Sequence, residues 1–513
     1  MVPFPSPTPT PSFPPKILNC SSNIFVSTKH KLLTLLNLCS SLAHLTQIHA
    51  QSLLCGLSSD PFLAAQLARS SAAEHPSYAR SILDCSEILI PSPWNALIRA
   101  YASGDSPAEA FPVYLGMRGK GIRPNEHTVP FVLKSCARVS ALKLGRGVHA
   151  EVYKLGLDWN VYVGNALTSL YGSCKKIRDS CRMFDEMPVR TIVSWNAIVT
   201  ACIENSWVDD GIGYFWKMRD CGFEPDETTM VVLLSACVKM GSLGLGRWVH
   251  SQVIGKGMVL NCQLGTALVE MYAKCGDLHS AGLVFYLMEV RTVWTWSAMI
   301  LSLAQHGAAP EALRLFAIMT ETTKIRPNYV TFLGVLCACS HAGLVDEGYK
   351  YFHDMQELHG IEPMTIHYGA MVDILGRAGR LKEARDFILH MPIKPDPVLW
   401  RTLLSACSVH DKEGKSGVKD EVMRRLLELE PRRGGNLVIV ANMYAETGMW
   451  DEAEKVRKDM RNKGLKKMAG ESTIEVNGSM NRFYSGEDGR ADCEDIYRMV
   501  DDLSFHMKIY NGS

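Results

Sequence analysis

Along much of the chain, apolar residues return every three or four positions. Trp94, Leu97, Ile98 and Tyr101 fall on one face of a helix, with polar residues between them. Gly104-Asp105 ends that run. Ser106-Pro107-Ala108-Glu109 then predicts a second helix: Ser as the cap, Pro in the first turn, Glu three residues after the cap. Phe111, Tyr114, Leu115 and Met117 carry it to Gly119, and Gly121-Ile122-Arg123-Pro124 stops it. The plan recurs with Trp195–Glu204 and the start at Ser206, and again with Trp296–His306 and Pro310-Glu311-Ala312. Each segment reads as a helical hairpin.

The recurrence has a fixed period. Trp94, Trp195 and Trp296 are each 101 residues apart, and so are His149 and His250, Tyr171 and Tyr272, and Cys136 and Cys237. The unit divides into parts of 35, 35 and 31 residues: Pro91–Asn125, Glu126–Asn160 and Val161–Thr191. Ile192–Asp226, Glu227–Asn261 and Cys262–Thr292 repeat those lengths, and Val293–Asn328, Tyr329–Met364 and Thr365–Asp396 form a slightly stretched third cycle. A weaker pair, Thr28–Asp60 and Pro61–Ile90, precedes them. A hairpin of this size cannot bury its apolar face alone, whereas stacked neighbours can. The expected architecture is therefore all-α, an α-solenoid (superhelix) of helix-turn-helix repeats.

Composition narrows the function. The 513 residues include 54 Lys plus Arg against 53 Asp plus Glu, which excludes a polycation while leaving room for a local basic groove. Sixteen cysteines in a chain without a secretory signal read as reduced thiols. The charge-free stretch Leu32–Ser59 carries too many amides, hydroxyls and imidazoles to lie in hydrocarbon, so no membrane association is expected. Before Asp60, the first acidic residue, come three lysines and many Pro, Ser and Thr. Residues 1–27 thus read as an organellar transit peptide, with a disordered Pro-rich tail as the alternative. The destination is chloroplast or mitochondrion, and the scarcity of arginine favours the chloroplast.

Catalytic patterns are weak. His149-Ala150-Glu151 matches the first half of a zinc-deaminase signature, but the Cys-x-x-Cys half occurs nowhere. His149 recurs at His250, where the residue two later is Gln252, so it reads as a packed helix-face histidine. Cys337-Ala338-Cys339-Ser340-His341 puts Cys339 on the opposite side of a helix from Cys337 and His341. Cys136, Cys237, Cys339 and Cys407 recur at one place in their repeats and read as small core residues. The expectation is a protein that is not an enzyme and holds neither cofactor nor metal.

Several strings identify a family. Gly121…Pro124-Asn125 and Gly222…Pro225-Asp226 close their repeats, and Val193-Ser194-Trp195-Asn196 opens one. Met271-Tyr272-Ala273-Lys274-Cys275-Gly276, Met183-Phe184-Asp185-Glu186-Met187-Pro188 and Leu375-Gly376-Arg377-Ala378-Gly379-Arg380-Leu381 are further matches. Ile98 stands where a tetratricopeptide repeat has Gly. Residues 28–396 resemble plant pentatricopeptide repeat proteins of the PLS class, which mix standard, long and short repeats. Trp400–Cys407, Asn442–Gly448 and Gly470–Val476 resemble that family's C-terminal E/E+ extension, without its deaminase-like domain. The resemblance implies degenerate repeats over 28–90, an array over 91–396, a helical extension over 397–485 and an acidic tail over 486–513.

The resemblance also implies a site. In this family the fifth and last residues of standard and short repeats face an RNA base. The pairs here are Asn95/Asn125, Asn165/Thr191, Asn196/Asp226, Thr266/Thr292 and Ser297/Asn328. By the family's code Asn196/Asp226 reads uracil and Ser297/Asn328 adenine. Asn95/Asn125 suggests a pyrimidine and Thr266/Thr292 a purine. Long repeats put Pro130, Val231 and Leu333 at the fifth position, which cannot hydrogen-bond a base, and Gly369/Asp396 departs from the usual pairs. Second residues such as Tyr162, Val193 and Trp294 would pack on base faces, Ser92 less well. Helix capping is the competing role for each Asn, Ser or Thr. The basic run from Lys455 to Lys467 reads as a solvated helix face, with phosphate contact as the minority reading. The implied function is a sequence-specific single-stranded RNA-binding adaptor for C-to-U editing of an organellar transcript. The extension would recruit a deaminase-bearing partner and other editing factors in trans. Splicing, stability or translation of organellar RNA, or a protein-binding scaffold, are the alternatives.

Overall fold

A computed structural model describes residues 28–39, 41–57, 60–411, 417–467, 469–476 and 479–485. Residues 1–27, expected to be a transit peptide, and the acidic tail 486–513 lie outside them. The chain divides into two compact units, one ending at Pro225 and one starting at Asp226. Both are α-solenoids of stacked helical hairpins.

In the first unit the leading helices Pro61–Ser71, Pro91–Ser103, Val129–Arg138, Val161–Ser173 and Ile192–Glu204 pack in series. Their starts follow local chemistry. Asp60 accepts from the backbone N–H of Phe62 and Leu63 at 3.0 and 2.9 Å, and Pro61 sits in the first turn, where its missing N–H costs nothing. Asn160 caps Val161–Ser173 in the same way. Trp94, Leu97 and Ile98 are buried together, as the spacing requires. One detail differs. Ser106 makes no side-chain cap bond, and Pro107–Glu109 is a 3-10 turn leading into Ala110–Gly119. Glu109 instead pairs with Arg80 at 2.7 Å.

The second unit continues with leading helices Glu227–Met240, Cys262–Lys274, Val293–Gln305, Tyr329–Ala342, Thr365–Arg377 and Pro397–His410. Small residues let them approach closely. A Cβ on Gly334 would lie 3.0 Å from the backbone nitrogen of Leu301, and one on Gly376 2.8 Å from Cβ of Ala406. Val418–Leu429, Gly434–Glu446 and Trp450–Asn462 extend the stack. The extension is not helical throughout, contrary to expectation. Glu471–Val476 pairs antiparallel with Ser479–Tyr484, with Val476 opposite Ser479. The reason is in the sequence: Thr473, Ile474 and Val476 are β-branched, and polar and apolar residues alternate from Thr473 to Val476.

Cys136, Cys237, Cys339 and Cys407 are all fully buried among apolar neighbours. Burial pushes the thiols of Cys136 and Cys339 up to about 12 and that of Cys407 up to about 11. Among the described residues no helix is long and apolar enough to cross a membrane.

Candidate nucleic-acid interface

The last residue of each repeat directly precedes the leading helix of the next, except Asn125, which three residues separate from Val129–Arg138. The fifth residue lies one turn inside its own leading helix. Within a unit, stacking neighbouring leading helices side by side brings the two together at Asn95/Asn125, Thr266/Thr292 and Ser297/Asn328.

At the first pair, Asn95 Nδ2 donates to Asn125 Oδ1 at 3.1 Å. Thr128 completes the cluster: its hydroxyl donates to Asn95 Oδ1 at 2.6 Å and accepts from the Asn125 backbone N–H at 3.1 Å. At Ser297/Asn328, the Ser hydroxyl lies 3.1 Å from Asn328 Oδ1, 2.7 Å from the Val293 carbonyl and 2.7 Å from Thr331 Oγ1. Thr266 and Thr292 meet through a third side chain, with Thr295 Oγ1 2.7 Å from one hydroxyl and 3.2 Å from the other. Asn165 and Thr191 are not joined in this way. Asn165 Oδ1 is buried without a hydrogen-bond partner, while exposed Thr191 bonds Ser194. Asn196 is buried in the first unit. Asp226 opens the second, accepting from the backbone N–H and the hydroxyl of Thr229, both at 2.8 Å.

Capping and base-edge geometry therefore coexist. Thr191, Asp226, Thr292 and Asn328 each form a capping box with the residue three later. Asn125 Oδ1 accepts from the His127 N–H, with Thr128 Oγ1 3.0 Å away. Sequence reasoning missed those third residues, Thr128, Ser194, Thr229, Thr295 and Thr331. Their signal is a capping residue followed three positions later by Ser or Thr. The second residues turn outward: Tyr162 is 72% exposed, Val193 61% and Trp294 52%, which leaves their faces open to a flat ligand. Ser92 is exposed as well.

Comparisons with known proteins place the chain in a family. The pentatricopeptide repeat model matches residues 92–122, 193–223, 294–321, 330–359 and 366–394, and the E motif model matches 418–475. A pentatricopeptide repeat-containing protein of Arabidopsis thaliana is 54% identical over 490 residues, covering 95% of this chain and 97% of its own. The chain belongs to the pentatricopeptide repeat family. It carries the E motif, as its C-terminal strings imply. Another such Arabidopsis thaliana protein, named chloroplastic/mitochondrial, is 38% identical and covers 92% of this chain and 76% of its own. A crystal structure of a maize pentatricopeptide repeat protein aligns at 15% identity and a TM-score of 0.41, covering 89% of this chain and 77% of that one. The same repeat protein in complex with an 18-nucleotide RNA element aligns at 16% and 0.44, with 87% and 70% coverage.

The polar groups that could suggest catalysis or phosphate contact in this pentatricopeptide repeat chain have structural partners. His149 Nδ1 lies 2.8 Å from the Tyr171 hydroxyl, and His250 repeats the pair with Tyr272 at 2.8 Å. Burial lowers both imidazole pKa values. Glu151 accepts from the Tyr114 hydroxyl at 2.6 Å and pairs with Arg118 at 3.0 Å. Among the described residues no group of three or more His, Cys, Asp or Glu side chains is placed to hold a metal ion. On the basic run, Lys455 pairs with Glu452 at 3.8 Å and Lys463 with Asp459 at 2.6 Å, all exposed.

Proposed function

We propose that this protein is a sequence-specific, non-catalytic adaptor for single-stranded RNA in an organelle. The reading rests on one observation. Polar fifth and last side chains recur in one register, beside second residues that are exposed and in two cases aromatic. Such a row suits splayed bases, with edges met by hydrogen bonds and faces by stacking. The near-neutral charge balance agrees with recognition carried by hydrogen bonds and stacking rather than by bulk attraction to phosphate. The base-facing residues are Asn95, Asn125, Asn165, Thr191, Asn196, Asp226, Thr266, Thr292, Ser297 and Asn328. Relatives with chloroplastic or mitochondrial in their names support an organellar location.

The E motif carries the proposal one step further. It recruits a deaminase-bearing partner in trans, so that the bound transcript is edited from C to U. Organellar RNA sequencing of a loss-of-function line tests this. At least one cytidine loses editing if the proposal holds. Altered splicing or transcript ends with all editing intact refutes the editing role and leaves the RNA reading. No RNA bound by the purified chain in a gel shift refutes both.

A further inference from the structure

The third residue of each repeat follows a rule along the chain. Where the fifth residue of the preceding repeat is polar, the third residue bears a hydroxyl. Asn95, Asn165, Asn196, Thr266 and Ser297 are followed by Thr128, Ser194, Thr229, Thr295 and Thr331. Where the fifth residue is Pro130, Val231, Leu333 or Gly369, the third is Val163, Leu264, His367 or Leu399. Capping does not account for this. Asn160, Asn261 and Asp396 cap their helices through backbone N–H groups alone, with Val163, Leu264 and Leu399 in the third position. At Gly369 the corresponding space is filled by carbon, since a Cβ there would meet Leu399 Cδ2 at 3.6 Å.

The geometry at Asn95 shows what the hydroxyl does. The His127 N–H points at Asn125 Oδ1, which fixes that atom as an acceptor. The Asn95 atom facing it must then be Nδ2. That leaves Asn95 Oδ1 against Thr128, whose hydroxyl supplies the proton at 2.6 Å. Turning the Asn95 amide over would set two amide oxygens against each other at 3.1 Å and take the acceptor away from the Thr128 hydroxyl. The atoms left for a base are its second N–H and the Asn125 amide N–H groups, all donors. Ser194 lacks the threonine methyl that restricts rotation, and at its site Asn165 Oδ1 has no partner.

From this we infer that the third-position hydroxyl is a positioning residue for base selection, setting the donor and acceptor pattern of the fifth side chain in the preceding repeat. The inference rests on the RNA-binding reading above and deepens it. The Asn95/Asn125 site selects cytosine, whose N3 and O2 accept, over uracil, whose N3–H donates. The Asn165 site, unlocked, admits both.

The test is selection from a random RNA pool with the full chain, its Thr128→Val, Thr128→Ser and Ser194→Thr variants, and Asn125→Asp to mark the nucleotide concerned. Wild type is expected to favour C over U there by about tenfold, the worth of one mismatched hydrogen bond. Thr128→Val brings that ratio to near parity with the other positions unchanged, Thr128→Ser restores it, and Ser194→Thr sharpens one further position. A Thr128→Val chain that binds all sequences more weakly with an unchanged pattern overturns the inference, and so does a wild-type preference for U. If wild type enriches no sequence, the RNA reading itself fails and the inference falls with it.

Discussion

Gly334→Ala is the sharpest test of how the second unit is held together. Gly334 lies inside Tyr329–Ala342, where alanine should improve the helix by about 1 kcal/mol. Its neighbour forbids the gain. The added Cβ would sit 3.0 Å from the Leu301 nitrogen, 3.1 Å from Leu301 Cα and 3.1 Å from Ile300 Cγ2. Carbon contacts settle at about 3.5–4.0 Å, so Val293–Gln305 and Tyr329–Ala342 must part by roughly half an ångström. Backbone atoms cannot rotate away, so the cost lies in the upper part of the overpacking range, about 2–3 kcal/mol. The net loss is about 1–2 kcal/mol, which lowers the melting temperature by about 3–6 °C for a unit of this size. Gly282→Ala is the matched control. It lies in Leu278–Leu287, and its Cβ would meet only Met299 Cε at 3.9 Å. Its helix gain is unopposed, so melting should rise by about 2–4 °C. Thermal scans at 222 nm read both. Equal shifts of the same sign would refute the argument, because propensity alone would then explain both variants. A second readout follows from position. Thr331 is one turn from Gly334, and parting the helices stretches its 2.7 Å bond to Ser297, so Gly334→Ala should also weaken base discrimination at that site.

Other variants test separate features. Lys419 is buried with no hydrogen-bond partner for its ammonium, so Lys419→Met should stabilise the extension by about 1–3 kcal/mol; a lower melting temperature would count against this. Asp396→Ala removes the acceptor for the Val398 and Leu399 N–H groups and should cost about 1 kcal/mol in a urea titration; an unchanged midpoint would show the cap to be idle. His149 and His250 are held below their ordinary pKa by burial, so they stay neutral in the folded chain while the unfolded chain protonates them. Their contribution is complete above about pH 6.5 and is lost as pH falls below it. Replacing both with Gln should flatten the fall in urea midpoint between pH 7.5 and 5, and an unaltered slope would assign that fall to other groups.

The repeat fold was legible because its signals are periodic. Trp94, Trp195 and Trp296 announce the unit, and each is buried at the same place in its hairpin. Ser106 misled because Pro107 favours a tight turn there, and Glu109 finds a better partner in Arg80 on the preceding hairpin, which no local window contains. The strands Glu471–Val476 and Ser479–Tyr484 went unread, because the alternation from Thr473 to Val476 is a short signal after a long helical run. At the candidate site, the fifth and last positions came from resemblance. The third position could not come that way, because Thr128 is unremarkable beside Asn125 and matters only once Asn95, 33 residues earlier, is brought against it.

The buried sulfur atoms bear on how the chain fares under oxidative stress. A thiol reacts with peroxide or a disulfide as its thiolate, and burial that holds Cys136 and Cys339 near 12 leaves almost none at neutral pH. Cys85 and Cys221, by contrast, are exposed. Sulfenic acid and glutathione adducts, the reversible products of thiol oxidation, would therefore collect at these exposed helix ends and spare the buried thiols between hairpins. In a compartment whose redox state swings with metabolism, such a chain takes its damage at places that can be repaired without unfolding it.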